Sequence, residues 1–286
     1  MKFRRIASCD IRLRNQDFTG YTGTLLISNL RIAFSVTKTL SWSANSATVR
    51  IWNISEDKRS RIKDYGDQIT LRAGYREDAG EQLLFIGNTT QVSHLFDQPE
   101  IITTLESGDG ESILNQKYIS YSFEEGATVR EIIELVAERM AINISEFSIF
   151  PNDIYRQGDS FTGMAKDALD KLCNRVNLTW SVQNGFLQIL PKNQGSTKPP
   201  AEINADTGMI GIPQRFTSKR MNLYNSNIQT GWRVKTLLRP DINPGDRVRI
   251  KSVRADINGL FYVYSIRHEG DNYGPQWEST LEVILA

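Results

Sequence analysis

The hexapeptide GDQITL at Gly66–Leu71 returns in altered form as GDRVRI at Gly245–Ile250. In both copies a Gly-Asp turn leads into alternating apolar and polar residues, the pattern of a β-strand with one buried face. Two further matches follow in the same order: Val92-Ser93-His94 with Ile266-Arg267-His268, and Thr104-Leu105-Glu106 with Thr280-Leu281-Glu282. The offsets lie between 174 and 179 residues. The spacing predicts two similar β domains in one chain, although unrelated hairpins of similar composition would also give matches this short.

Alternating runs extend the β character over the first hundred residues. They are Ile32–Val36, Ala47–Trp52, Gln68–Tyr75, Leu83–Gly87 and Ile101–Leu105. One short helix, capped by Ser55 and continuing through Ile62 to Gly66, is predicted between them. Strands separated by turns at this spacing favour a sandwich or a barrel.

Helical periodicity marks the middle of the chain. Thr128-Val129-Arg130-Glu131 fits a capping box, in which the first and last side chains satisfy backbone N–H groups at a helix start. Apolar residues then recur at helical spacing as far as Met140, and a second helix is predicted after Ser160–Thr162. Asn184-Gly185 separates two apolar runs, which predicts a tight hairpin.

The predicted fold class is therefore α+β and mainly β, with two tube-like antiparallel β-barrel or sandwich domains flanking a small α/β insert. The predicted bounds are 1–106 for the N-terminal β domain, 107–195 for the insert, and 196–286 for a linker and the C-terminal β domain.

Composition argues against several classes of protein. The 34 basic and 33 acidic side chains leave a net charge of +1, whereas a dedicated nucleic-acid binder usually carries a basic excess. No apolar run approaches the ~18–20 residues of a membrane helix, so we expect no membrane insertion. The start of the chain lacks the apolar stretch of a secretory signal, and Cys9 and Cys173 lie far apart. We expect synthesis in a reducing cytosol and no disulfide framework.

Residues that could perform chemistry have simpler structural explanations. His268 lies close to Glu269 and Asp271, but no second histidine is near it in sequence, so we expect a partly exposed histidine at a strand end. Glu131 is accounted for by the capping box, and Glu124 and its acidic neighbour precede a helix N-terminus, where negative charge is favourable. Complete calcium, phosphate and dinucleotide loops are missing. We predict a protein that is not an enzyme, with no catalytic, cofactor-binding or metal site and no cofactor.

Arg247, Arg249 and Lys251 would share one face of an alternating strand. Three explanations stay open for this basic face, in order of preference: a solvated sheet edge, an acidic protein neighbour, or nucleic acid.

Four stretches, taken together and in order, resemble the baseplate hub proteins of contractile-tailed bacteriophages. They are Ala47–Ile54 ahead of Ile69–Tyr75 and Leu84–Gly87; Ser122–Thr128; Leu178–Gly185; and Leu237–Asp246 with Asn258–Val263 and His268–Asp271. These are packing and turn motifs rather than chemical signatures. The resemblance covers nearly the whole chain, apart from the region around 195–212.

The resemblance implies a structural protein of the virion tail baseplate, made in the host cytoplasm. In that family the hub is a trimeric ring whose chains each carry two tube-like β domains, so that three chains imitate six copies and join the six-fold tail tube to the three-fold spike. The implied partners are two further copies of the chain, tail tube or tube-initiator proteins, the spike protein, the tape measure protein and the baseplate wedge. DNA would pass through the channel without specific binding.

The sequence leaves three alternatives open. The hub portion of a related contractile injection system shares the fold. A cell-wall-degrading or glycan-binding tail protein, and a single-strand nucleic-acid binder, belong to other classes.

Under the hub interpretation, function lies in interfaces, and large obligate interfaces are rich in apolar and aromatic side chains. The interface candidates are Trp42, Trp52, Trp232, Arg247, Arg249 and Trp277. Packing within the chain is the alternative for the tryptophans.

Overall fold

The computed structural model describes residues 4–15, 20–40, 45–63, 65–109, 117–222 and 225–286. Within these ranges the strands are β1 Arg5–Arg14, β2 Tyr21–Ile27, β3 Ile32–Thr39, β4 Asn45–Trp52, β5 Gln68–Tyr75, β6 Gly80–Asp97, β7 Glu100–Asp109, β8 Tyr118–Phe123, β9 Asn143–Ile144, β10 Asp159–Met164, β11 Leu178–Gln183, β12 Phe186–Pro191, β13 Ala201–Ile203, β14 Met209–Asn222, β15 Asn225–Leu237, β16 Arg247–Ile250, β17 Gly259–Asp271 and β18 Trp277–Leu285. The helices are α1 Glu56–Arg59, α2 Val129–Met140 and α3 Ala165–Arg175. Strands occupy 56% of the chain and helices 11%, which confirms a mainly β fold.

Thirteen strands form one continuous sheet, whereas two separate barrel or sandwich domains were predicted. The order is β14-β15-β18-β17-β3-β4-β7-β6-β5-β1-β2, with β16 on the other part of β17 and β13 beside β16. The pairs are antiparallel, except that β13 and β16 are parallel. Within the described residues this path ends at β14 and at β2 and does not close into a barrel.

We call β1–β7 the first half and β13–β18 the second half. Each half surrounds a hydrophobic core. The first core contains inward side chains such as Ile11, Val49 and Leu105, all fully buried. Leu238 and Trp277 of the second half also lie in this first core, so that the two halves share buried surface.

The second core is built from the other half alone, with Val234, Val248 and Leu281 among its fully buried members. This packing follows from the alternation along β15, β16 and β18, which turns every second side chain inward. The predicted domain bounds stay predictions.

The insert, β8–β12 with α2 and α3, has a core of its own. The capping box is present: Thr128 Oγ1 accepts a hydrogen bond from Glu131 N, and Thr128 N donates to the Glu131 carboxylate at 3.0 Å. The predicted hairpin joins β11 to β12, and Asn184 and Gly185 have φ angles of 53° and 82°. Positive φ at both central residues is what a type I′ turn requires.

Two predictions about single elements were wrong. The helix expected from Ser55 to Gly66 is a single turn that ends at Arg59, and the Ser55 side chain makes no capping hydrogen bond. The basic strand β16 does not form a sheet edge, because it lies between β13 and β17.

Candidate functional site

The two halves repeat one pattern of strand pairing. The consecutive strands β3-β4-β7-β6-β5 of the first half correspond to β14-β15-β18-β17-β16 of the second. The registers correspond as well: Val49 pairs with Leu105 where Val234 pairs with Leu281. The short sequence matches between the two halves therefore lie at equivalent places in the sheet.

The Gly-Asp turns make equivalent hydrogen bonds. Gly66 N donates to Thr89 O at 2.9 Å and Thr89 N to Asp67 O at 2.7 Å; Gly245 N donates to Val263 O at 2.8 Å and Val263 N to Asp246 O at 2.9 Å. A β-bulge follows immediately in both long strands, between Thr89 and Gln91 in β6 and between Val263 and Ser265 in β17. Bulges bend a strand at a defined place, so each half directs the end of its long strand in the same way.

Beyond its bulge, β17 joins the two halves. Its residues Ser265–Asp271 pair antiparallel with Ala33–Thr39 of β3. We call this pairing the inner junction. The charged pair Arg31 and Asp271, 2.8 Å apart, stabilises its far end.

The Phe34 ring packs over Gly270 within the inner junction. A Cβ at Gly270 would overlap this ring. Phe34 and Trp277 stand edge to face with 5.5 Å between ring centroids.

The strand edges equivalent to the inner junction have no strand partner in the part of the chain that the structure describes. In β6 the corresponding segment is Gln91–Asp97, which we call the β6 edge; one side pairs with β7, and the other has no strand partner among the described residues. The outer side of β14, equivalent to β3, likewise carries no strand within the described ranges. Leu95 and Phe96 are 60% and 65% exposed on the β6 edge. Exposed apolar side chains on an unpaired strand indicate a protein interface.

A groove of about 650 Å³ lies beside β14. Ile212, which is 53% exposed, forms its apolar part together with Pro213 and the half-buried Trp232. Polar and charged side chains line the rest, namely Gln214, Arg215, Thr230, Arg254 and Asp256. The Arg254 guanidinium lies over the Trp232 ring, 5.7 Å from its centre. We call this feature the β14 groove.

Three parts of the chain meet at a buried lysine. Lys38 of β3 is 1% exposed, and its Nζ donates to Asn184 Oδ1 of the insert at 2.9 Å and to Asn243 Oδ1 of the second half at 3.0 Å. Burial lowers the pKa of Lys38 to about 8, although the carboxylates of Asp109 and Asp246 favour its charged form.

Asp109 holds the insert hairpin from the other side. Its carboxylate accepts hydrogen bonds from Asn184 N at 2.6 Å and Gly185 N at 3.1 Å. Burial raises the pKa of Asp109 above its ordinary range, against the opposing effect of the Lys38 charge. The hairpin tip is thus held by hydrogen bonds to two buried side chains, Asp109 and Lys38.

His268 is fully buried in the middle of β17, and the expectation of a partly exposed strand-end histidine was wrong. Its Nδ1 lies 2.8 Å from Ser279 Oγ. Burial lowers the pKa of His268 to about 3, with a further contribution from Lys38. The equivalent His94 of β6 is exposed, with Nδ1 3.1 Å from Thr103 Oγ1. The two histidines therefore make equivalent hydrogen bonds to the neighbouring strand, but only His268 is buried.

Charges on the sheet face away from the second core cancel in pairs. The three ion pairs are Arg233 with Glu282 at 2.7 Å, Lys235 with Glu278 at 2.6 Å, and Arg267 with Glu269 at 2.9 Å. A face with balanced charge offers little net attraction to a polyanion.

The predicted interface residues occupy different environments. Trp277 is 2% exposed in the first core, and Trp52 is 8% exposed beneath the Arg31 guanidinium, 4.3 Å from the ring centre. Trp232 lines the β14 groove. Their role at an interface between chains stays a prediction, and Trp42 lies outside the described residues.

The two predicted basic residues differ in exposure. Arg249 is exposed and pairs with Glu202 at 3.3 Å, whereas Arg247 is half-buried and its Nη2 donates to Lys198 O at 3.4 Å.

Leu95, Phe96 and Ile212 were missed by sequence reasoning. The signal for Leu95 and Phe96 was the repeat itself, since the match at Val92–His94 continues toward them along β6. Within the described residues, no group of three or more metal-ligating side chains comes together. No described helix has the length and apolar character needed to cross a membrane.

One family model matches the chain, and solved structures share its fold. A family described as Baseplate hub gp41 matches residues 15–282. The fold is similar to the 43 kDa tail protein of prophage MuSo2 from Shewanella oneidensis, with 11% identity, a TM-score of 0.65 and 98% of each chain covered. It is also similar to a tail protein from Neisseria meningitidis MC58, with 12% identity, a TM-score of 0.64, and coverage of 98% of this chain and 96% of that one.

A third similar structure is the E. coli c3393 protein, a component of the type VI secretion system. Its identity is 12% and its TM-score 0.58, with 90% of this chain and 73% of that one covered. At such identities the likeness shows the fold alone. No curated protein sequence matches the chain.

Proposed function

This chain belongs to the Baseplate hub gp41 family and is a structural hub protein of a phage tail baseplate, and from that premise we propose that three copies close into a ring. The ring joins the six-fold tube of a contractile tail to its three-fold spike. Its direct neighbours are tail tube or tube-initiator proteins on one face and the spike protein on the other, with the tape measure protein and baseplate wedge nearby.

The observation that carries this proposal is the repeat of strand pairing within one chain. The bulges after Thr89 and Val263 and the turns at Gly66 and Gly245 place two equivalent halves in each molecule. Three such molecules present six similar halves to a six-fold neighbour, while the covalent chain and the insert repeat only three times. A body of this kind fits both symmetries.

The balanced sheet face supports the second part of the proposal, the passage of DNA. We assign the face with the Arg233–Glu282 and Lys235–Glu278 pairs to the bore. Because its charges cancel, DNA crosses without being held, which a conduit requires. Binding of a short double-stranded DNA to the purified protein should be negligible at physiological salt.

The decisive experiment measures the assembly state of the full chain. Native mass spectrometry should show a particle of three times the 32.5 kDa chain mass. Electron microscopy of that particle should show a central hole with six similar lobes. A monomer at every concentration tested, or a particle without a bore, contradicts the proposed ring.

A further inference from the structure

The inner junction provides a template for a contact between copies. In it, Glu269 of β17 pairs with Ser35 of β3, and His268 pairs with Val36. The equivalent register positions are Leu95 and His94 in β6, and Gln214 and Arg215 in β14, since Gln214 pairs with Arg233 of β15 as Ser35 pairs with Thr48 of β4. The same register can therefore be written for an antiparallel pair between the β6 edge and β14.

The side chains of the β6 edge and β14 are also complementary, but the strand that supplies the aromatic ring and the strand that supplies the space are exchanged. At the inner junction β3 supplies the Phe34 ring and β17 supplies the space above Gly270. The position equivalent to Gly270 in β6 is Phe96, whose ring is 65% exposed and lies beneath the Arg59 guanidinium, 5.6 Å from the ring centre. The β14 segment equivalent to Phe34 is the irregular stretch between Ile210 and Gln214, which opens into the β14 groove.

We infer that the β6 edge of one copy pairs antiparallel with β14 of a second copy, with Phe96 seated in the β14 groove. This inference rests on the proposed ring and specifies its contact between chains. Both edges lack a strand partner among the described residues, so their backbone can supply hydrogen bonds to an added strand, and an apolar anchor fixes the register. Since each copy carries one of each edge, the contact is head to tail and closes when the rotation per copy allows.

The template also defines what happens to His94. Its equivalent, His268, is covered on one side by β3 and loses all exposure. In the contact between copies, His94 becomes covered by the second copy's β14, opposite Arg215. Thr103 remains its hydrogen-bond partner from β7.

Cysteine cross-linking tests the register directly. The paired variant Leu95→Cys with Gln214→Cys changes two residues that are exposed in the single chain. Directly opposed residues in antiparallel strands have Cα atoms about 4.5–5.5 Å apart, within the range of a disulfide. The native Cys9 and Cys173 are 0% and 1% exposed and do not interfere. Mild oxidation should give covalent dimers and trimers that disappear under reductant, with nothing larger.

The matched control is Leu95→Cys with Arg215→Cys, which is displaced by one residue. A shift of one residue places the two side chains on opposite faces of the sheet, so this pair should not cross-link. Equal cross-linking of both pairs, or none at 95 and 214 in a particle that native mass spectrometry shows to be a trimer, overturns the register and leaves the ring intact. A parent protein that is monomeric throughout overturns the ring, and the contact with it.

Charge substitution provides a second, independent test. Phe96 and Leu26 are both 65% exposed, and Leu26 lies on β2, the other terminal strand of the sheet. Phe96→Glu should raise the concentration for half-assembly at least about tenfold without lowering the melting temperature of the monomer, because an interface anchor becomes a buried charge. Leu26→Glu should leave assembly unchanged. The reverse result assigns the contact to β2 and contradicts our inference.

Discussion

His268 is an imidazole held without charge in the interior, and this makes the stability of the fold depend on pH. Burial lowers the pKa of its imidazolium form to about 3, whereas the ordinary value is 6.5. At pH values well above 6.5 the histidine is uncharged in both the folded and the unfolded chain. Below that value the unfolded chain gains a proton that the folded chain cannot accept until the pH approaches 3, so the free energy of unfolding falls as the pH falls.

We predict that His268→Gln removes this part of the pH dependence. At pH 5 the protonation of an unfolded histidine costs the native state about 2 kcal/mol relative to pH 7.5. Urea unfolding at both pH values should therefore show a smaller loss for His268→Gln than for the parent. His94→Gln is the control, because His94 is exposed in the single chain, and it should keep the parental loss. An identical pH dependence in all three proteins would contradict the role assigned to His268.

Single residues were predictable where local chemistry decides their conformation. The Asn184-Gly185 turn and the Thr128 cap depend on neighbours within a few residues, and both were predicted. The burial of His268 was not, because the strand that covers it contributes Val36, more than two hundred residues earlier in the chain. No local pattern carries that information.

At the scale of elements, the insert is attached to the sheet through its hairpin. The Asp109 carboxylate lies at the end of β7 and holds the amides of Asn184 and Gly185. Gln183 Nε2 adds a bond to Thr39 O at 2.8 Å. The insert is therefore held on the sheet by these polar contacts together with a small apolar cluster, in which Leu190 of the insert packs with Leu40 and Tyr262.

We predict that Asp109→Ala loosens this attachment. It leaves the part-buried amides of Asn184 and Gly185 without their acceptor, at a cost of roughly 1–2 kcal/mol. Hydrogen exchange at the Asn184 and Gly185 amides should accelerate strongly. Thr128→Ala is the control: loss of its cap costs about 1 kcal/mol within the insert, and it should leave those two amides protected relative to the global stability. Equal protection of the two amides in both variants would count against hairpin docking through Asp109.

Strand positions followed from alternation, but strand neighbours did not. The pattern of β16 identified a strand with basic residues on one face, yet its place between β13 and β17 depends on pairings made elsewhere in the sheet. The single-turn α1 has the same cause. Its predicted continuation to Gly66 gives way to the Gly-Asp turn, which is bonded to Thr89 of β6.

At the scale of the molecule, the two halves share a core and should unfold together. Trp277 belongs to β18 by sequence but packs among side chains of the first half, near Phe34 and Tyr75. The continuous hydrogen bonding from β17 to β3 adds to this coupling.

We predict that Trp277→Ala lowers the stability of both halves by about 3–5 kcal/mol, the usual cost of removing a large core aromatic side chain. Hydrogen exchange in denaturant should show β4 and β15 losing protection at one lowered midpoint. Trp180→Ala is matched in residue type and burial, at 3% against 2% exposed, but lies in the insert core, so its effect should be greatest there. A lowered midpoint in β18 alone after Trp277→Ala would show that the halves are independent.

The mainly β architecture and the internal repeat could be predicted from the sequence, whereas the open sheet could not. Alternation marks which faces are buried, and a closed barrel and a bent open sheet bury the same faces. What distinguishes them here is the pairing of Ser265–Asp271 with Ala33–Thr39, a long-range contact between halves. The β6 edge differs in this respect, because the sequence match at Val92–His94 continues toward Leu95 and Phe96 and could have identified it.

The inner junction also affects how the proposed ring assembles and how substitutions would prevent its assembly. Because one polypeptide carries both of its strands, the inner junction forms within a single chain, at a high effective concentration. Its formation does not depend on the concentration of the protein. In the proposed ring, inner junctions alternate with contacts between copies, and only the contacts between copies dissociate when the protein is diluted. Substitutions at the inner junction should therefore give misfolded chains. Substitutions at the contact between copies should give folded chains that do not assemble. Mutations at the contact between copies can therefore change the strength of assembly without changing the stability of the inner junction.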